Sequence, residues 1–232
     1  MIFARHPQRG RVKTRLVPPL TAEEALGLHG ACLQSTARLA ASLPASIGKL
    51  LYLSSASLPG ARRVARTLTL PRALRVRLQR GRNLGARLRR AFAELRAEGY
   101  DRIVFIGSDS PLLTRKRLHE ALAALRRADA VIGPARDGGY YLLGARGRAG
   151  GLERILCGID WGTERAYQQT RARLRKEHWR TVVLPRGYDV DTARDLNRLR
   201  RDVRRSRQAH LAPLRDWFGQ SPGGARGNLR RR

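Results

Sequence analysis

Apolar residues along this chain fall into two rhythms: short uninterrupted runs, and longer stretches spaced three and four positions apart. Residues 1–4, 103–106, 130–133 and 181–184 are the short runs, residues 47–53 are a run entered through Gly48 and Lys49, and each predicts a strand. Residues 74–78 alternate leucine and valine with arginine, the pattern of a strand with one wet face. Thr21-Ala22-Glu23-Glu24 reads as a capping box. It opens a helix with Ala25, Leu28, His29, Cys32 and Leu33 on one face, which puts His29 at the edge of the core and not among ligands. A short helix is expected over 62–67. Leu84, Leu88, Phe92 and Leu95 mark the buried face of a helix that follows the Gly81–Gly85 turn and runs to about Ala97. Further helices are expected over 118–125, from after Thr163 to about Glu177, and over 194–201.

The run Ile103-Val104-Phe105-Ile106 has no polar alternation, which suits a strand covered on both faces, as in a parallel sheet. It leads directly into Gly107-Ser108-Asp109-Ser110-Pro111. Ligands of open α/β sheets sit just beyond the carboxyl ends of such strands. A carboxylate there, beside a glycine that leaves the backbone room, is a natural seat for a divalent cation and the phosphates it carries. The competing role for Asp109 is a helix cap, although Thr114 could do that work.

Three other stretches offer chemistry. The loop from Arg5 to Leu16 is basic, with Gly10, Lys13 and Arg15, and lies where α/β folds commonly bind phosphate. It lacks Walker A spacing, and a plain solvated turn would look similar. Asp137-Gly138-Gly139-Tyr140-Tyr141 lets a backbone close on a ligand, with Asp137 anchoring the turn; an ordinary hairpin would use the same residues. In Tyr188-Asp189-Val190-Asp191-Thr192 the two carboxylates are separated by one residue. They would point the same way in an extended segment, so one metal could engage either or both. Alternatively, Asp191 or Thr192 caps the following helix.

The charge changes this picture only in part. The chain holds 48 basic and 18 acidic residues, a net charge of +30, which brings nucleic-acid binding into consideration. Lys13, Lys49, Lys116 and Lys176 are its only lysines; the arginines are spread over every segment and aromatics make up 6%. A site for an anionic small molecule needs only a few of these charges. The apolar runs are too short for a membrane span. No charged-then-apolar secretory signal opens the chain, and Cys32 and Cys157 are isolated, so a cytoplasmic location with reduced thiols is expected. From Arg201 onward the pattern gives way to arginine clusters and Ser221-Pro222-Gly223-Gly224. The expected organisation is therefore one domain over 1–200 and a basic tail over 201–232, able to touch polyanions. Leu211, Leu214, Trp217 and Phe218 within that stretch could dock as a short amphipathic turn.

Taken in order, the basic loop with Phe3-Ala4-Arg5 and Gly10-Arg11-Val12-Lys13-Thr14-Arg15-Leu16, then Gly-Ser-Asp-Ser-Pro, Asp-Gly-Gly-Tyr-Tyr, Trp161-Gly162-Thr163 and Tyr-Asp-Val-Asp-Thr resemble the DUF2064 family. Members of that family are often labelled arsenosugar-biosynthesis-type glycosyltransferases, and it sits within the GT-A-like nucleotide-diphospho-sugar transferases. Arg5 stands where the family usually has lysine, and Gly162 where it often has serine.

The resemblance implies a GT-A-like three-layer α/β/α sandwich with a mostly parallel sheet. It implies glycosyl transfer from a nucleotide sugar to a small-molecule acceptor, assisted by Mg²⁺ or Mn²⁺. Asp109, Asp189 and Asp191 would hold the metal, and Lys13, Arg15, Gly10 and Gly107 the nucleotide phosphates. Gly138, Gly139, Tyr140, Trp161 and Thr163 would meet the substrate, with Asp109 and Asp137 as the catalytic carboxylates. Two alternatives stand beside this: nucleotidyl transfer from a triphosphate in the same site, and a polyanion-binding protein on a degenerate enzyme fold.

Overall fold

The structure is a computed structural model and describes residues 1–147 and 151–220. Its strands are β1 (Ile2–Arg5), β2 (Leu50–Ser54), β3 (Arg75–Leu78), β4 (Arg102–Gly107), β5 (Ala130–Pro134), β6 (Tyr140–Arg146) and β7 (Thr181–Val183). They form one sheet in the order β3-β2-β1-β4-β6-β5-β7. Strand β6 runs antiparallel to both β4 and β5, and the remaining pairings are parallel. The reason is local: only a short turn separates Pro134 from Tyr140, and parallel neighbours need a long crossover.

The helices are α1 (Ala22–Ala41), α2 (Leu58–Thr67), α3 (Leu84–Ala97), α4 (Arg115–Ala124), α5 (Leu152–Ile155), α6 (Ala166–Lys176), α7 (Ala193–Arg205) and α8 (Ala212–Gln220). Strand periodicity divides the core into two layers. Ile103 and Phe105 of β4 pack with Leu88, Phe92 and Leu95 of α3 and Leu174 of α6. Val104 and Ile106, the alternate residues, pack with Leu33 and Ala37 of α1 and Leu118 of α4. Each large side chain so buried contributes about 1.5–3 kcal/mol relative to exposure. The three-layer α/β/α sandwich expected from the sequence is the fold observed.

The capping box at Thr21 forms as expected, with Glu24 Oε2 accepting from the Thr21 amide at 2.8 Å. Helix α2 begins four residues before its expected start, because the Ser57 hydroxyl accepts from the Gly60 amide at 3.2 Å and Pro59 suits a first turn. The single turn of α5 has no counterpart among the elements read from the sequence.

The domain boundary expected at residue 200 comes too early. Leu196, Leu199 and Val203 of α7 and Leu211, Leu214 and Trp217 pack with Leu28, Ala31 and Cys32 of α1 and with Leu16 and Leu20. Arginine density hid this apolar stripe: between Leu196, Leu199 and Val203 stand Asn197, Asp202 and three arginines, so the segment reads as polar although its inner face is not. The rest of the expected tail, 221–232, lies outside the described residues. Among the described residues, no helix is long and apolar enough to cross a membrane.

Candidate functional site

The sheet order reverses direction between β1 and β4: β1 connects outward to β2, and β3 crosses back over to β4. A crevice at the carboxyl ends follows from such a reversal. A cleft of about 730 Å³ opens there, floored by Phe3 and Arg5 of β1 and Phe105, Ile106 and Gly107 of β4. All the residues expected to act lie on its wall except Gly10 and Gly138.

Asp109 follows β4 directly and is not a cap. Thr114 caps α4 instead, its hydroxyl accepting from the Arg117 amide at 3.1 Å. The Asp109 side chain is 44% exposed to the cleft, and its Oδ1 meets Lys13 Nζ at 2.5 Å. Lys13 itself is only 2% exposed. Its ammonium also donates to the Val190 carbonyl at 2.7 Å and lies 3.7 Å from Asp191 Oδ1. Burial alone would lower the lysine pKa, but the carboxylates, Asp109 foremost, outweigh burial and hold it above its ordinary range. Burial would likewise raise the Asp109 carboxyl, and the ammonium brings it below its usual range. Lys13, expected at phosphate, turns its ammonium in this structure toward two carboxylates.

The same reasoning separates Asp189 from Asp191. Thr192 caps α7, with Asp195 closing the box, which leaves Asp191 free of that duty. Asp191 is 37% exposed and faces Lys13. Val190, between them, is buried with the apolar residues of α1 and α7, and its amide donates to the Asp109 carbonyl at 3.0 Å. Asp189 takes the other course and accepts a hydrogen bond from the Ser110 hydroxyl. Burial pushes its carboxyl up to about 7, with Asp109 and Asp137 adding like charge and Ser110 opposing the rise. The Ser110 partner goes unnoticed in the sequence, though it lies one residue past Asp109.

On the opposite wall, Asp137 Oδ1 accepts from the Gly139 amide at 3.0 Å, which holds the turn before β6. Gly138 has φ +84°, and a Cβ there would collide with the Glu164 carbonyl oxygen. Its closeness serves the 163–167 turn, and its own carbonyl accepts from the Tyr167 amide at 2.9 Å. Thr163 is part of that turn, donating to the Asp160 carbonyl at 2.7 Å. Trp161 stands edge-on to Tyr140 with ring centres 6.0 Å apart, and both line the cleft. Trp161 also leans on the first turn of α3, where a Cβ on Gly85 would lie 2.6 Å from its Nε1.

Arg5 and Arg15 line the cleft, and among the described residues neither guanidinium has an ion-pair partner. Arg15 sits in a 3-10 turn over Thr14–Leu16. Gly10 is exposed at the tip of the loop. His29 is buried as expected, yet it also touches the cleft, with Nε2 3.1 Å from the Arg5 carbonyl oxygen. Burial lowers its pKa, so the neutral ring is favoured.

Among the described residues, no three carboxylate, histidine or cysteine side chains gather as an all-protein metal cage would require. Asp109 and Asp191 nonetheless converge from two loops on the Lys13 ammonium. Mg²⁺ is usually held by one or two carboxylates completed by water and substrate phosphates, so the pair fits such an ion.

No curated protein matches the chain. A crystal structure from Desulfovibrio desulfuricans G20, assigned as a candidate nucleotide-diphospho-sugar transferase, shares 31% identity and a TM-score of 0.84 over 99% of this chain and 97% of its own. A cytidylyltransferase from Leptospira borgpetersenii serovar Hardjo-bovis (strain JB197) shares 14% identity and a TM-score of 0.56, over 100% and 97%. CMP:2-keto-3-deoxy-manno-octonic acid synthetase, solved with CTP, gives 13% and 0.54, over 88% and 98%. These two share the fold. The family model described as "Uncharacterized protein conserved in bacteria (DUF2064)" matches residues 49–163. With its motifs in order and this fold around them, the chain belongs to the DUF2064 family, within the nucleotide-diphospho-sugar transferase class.

Proposed function

We propose that this protein transfers a sugar from a nucleotide-diphospho-sugar donor to a small-molecule acceptor, with Mg²⁺ or Mn²⁺ held by Asp109 and Asp191. The observation that carries the reading is the convergence of those two carboxylates on the Lys13 ammonium, in a cleft whose Arg5 and Arg15 have no ion-pair partner among the described residues. When bound there, the ion would supply positive charge against a departing diphosphate, the stabilisation that such a leaving group needs. Arg5 and Arg15 offer planar forks that take two phosphate oxygens at once. Trp161 and Tyr140 present apolar ring surface to a sugar and keep water from that wall. Asp189, with its carboxyl near neutrality and bonded to Ser110, is placed to receive a proton from an acceptor hydroxyl. Asp137, the base expected from the sequence, is occupied by the Gly139 amide and is the poorer choice.

Nucleotidyl transfer is the second reading, favoured by the fold shared with cytidylyltransferases. Against it, the loop after β1 relies on basic side chains and carries only Gly10, where a triphosphate is more often wrapped by several glycines. The two reactions break different bonds, so their products separate them. Incubation with a panel of UDP-, GDP-, ADP- and CDP-sugars and Mn²⁺ should release nucleoside diphosphate slowly as water replaces the acceptor. Asp109→Asn should lower that rate by about a hundredfold or more. Pyrophosphate formed from triphosphates and sugar phosphates, with nucleotide sugars left intact, would select the second reading.

A further inference from the structure

Lys13 is a cation already seated where the metal is expected. We infer that Lys13 guards the Asp109–Asp191 pair, so that a divalent ion enters only together with a diphosphate, which gives the displaced ammonium new acceptors. This inference rests on the reading of the cleft as a diphosphate site.

Three observations support it. The ammonium is held by Asp109 Oδ1 at 2.5 Å and by the Val190 carbonyl at 2.7 Å, with Asp191 Oδ1 at 3.7 Å as a second, longer ion pair. The lysine is 2% exposed while both carboxylates face the cleft, so an ion approaching from solvent meets acids already neutralised from behind. Arg5 and Arg15 stand nearby without ion-pair partners among the described residues, and their positive field repels a bare dication but draws a polyphosphate. A metal arriving alone must force like charges together in a partly desolvated place. A metal arriving with a diphosphate brings anionic oxygens that can receive the ammonium as it leaves Asp109. The lysine stem is flexible enough to make that exchange with little backbone movement.

The chain's four lysines make the test direct, because a spectrum of ¹⁵N-labelled lysine ammonium groups is simple and the Lys13 signal is assigned by its loss in Lys13→Met. Mg²⁺ alone, pyrophosphate alone and the two together are added to the full-length protein. The Lys13 signal should stay in place with millimolar Mg²⁺ alone and shift when both are present. A shift with Mg²⁺ alone overturns the inference. So does a signal that never moves although a thermal shift shows Mg²⁺–pyrophosphate bound.

A second arm measures Mn²⁺ affinity by electron paramagnetic resonance, without any phosphate. Lys13→Met, shown folded by circular dichroism, should bind Mn²⁺ at least about tenfold more tightly than the unsubstituted protein; equal affinity overturns the guard role. The glycosyl-transfer reading is judged separately, by nucleoside diphosphate release. Release of product with Mn²⁺ bound equally well in both proteins would keep the function and discard the guard. No binding of pyrophosphate or of any nucleoside diphosphate, under all conditions, would discard both.

Discussion

Asp189 accepts a hydrogen bond from the Ser110 hydroxyl across 79 residues of chain, and this one contact joins the turn after β4 to the loop before α7. Val190, the next residue, adds a hydrogen bond from its N–H to the Asp109 carbonyl. The carboxylate side of the cleft is therefore made by two loops tied to each other, and the titration of one carboxyl should report on both.

The first prediction concerns that titration. The Asp189 carboxyl rises on folding from 3.8 to about 7, chiefly through burial. The folded state thus holds a proton that the unfolded chain releases between these values. Its contribution is fully present below about pH 4, is lost as pH rises toward 7, and is flat above. The whole span is on the order of 4 kcal/mol. Asp189→Asn keeps an oxygen for Ser110 and removes the titration. Urea unfolding in the presence of a chelator should show the variant more stable than the unsubstituted protein at pH 8, with the gap narrowing at pH 5. Parallel pH dependence in the two proteins would refute the assignment.

Arg15 should separate binding from stability. It is exposed and has no ion-pair partner among the described residues, so Arg15→Ala should change unfolding free energy by no more than about 0.5 kcal/mol. Loss of a charge-assisted contact to phosphate should weaken nucleoside diphosphate binding by about 1.5–3 kcal/mol. Calorimetric titration, paired with thermal unfolding, reads both. Unchanged affinity would take Arg15 out of the site.

The C-terminal helix should behave as core. Leu214 is fully buried between α8 and α1, so Leu214→Ala should cost about 2–5 kcal/mol, as a leucine cavity does. A cost under about 0.5 kcal/mol, measured by denaturant unfolding, would return this segment to the status of a dispensable tail.

Gly138 should tolerate no side chain. Its φ of +84° disfavours any other residue, and a methyl group there would run into the Glu164 backbone. The obstacle is main chain, so it cannot swing aside. Gly138→Ala should destabilise the protein by about 2 kcal/mol or more and shift the turn that carries Trp161 and Thr163. Tryptophan fluorescence and unfolding would show it; a variant with native fluorescence and stability would contradict the packing described.

Runs and alternation of apolar residues were enough for β1 to β5 and β7 and for their two-sided core, while β6 was not among them. Ile103 to Ile106 alternate between α3 and α1/α4 because side chains on a strand must, and no tertiary knowledge is needed to see it. The order of short motifs likewise identified the family and located Asp109, Asp191 and Trp161 near one cleft. Partnership was not legible. Whether Lys13 faced a phosphate or a carboxylate, and whether Asp189 followed Asp191 or turned to Ser110, depended on contacts across 79 to 177 residues of chain. Residue spacing in a loop does not encode these contacts. For the C-terminal segment the apolar Leu211, Leu214 and Trp217 were visible in the sequence, but only the position of α1 decides that they have something to pack against.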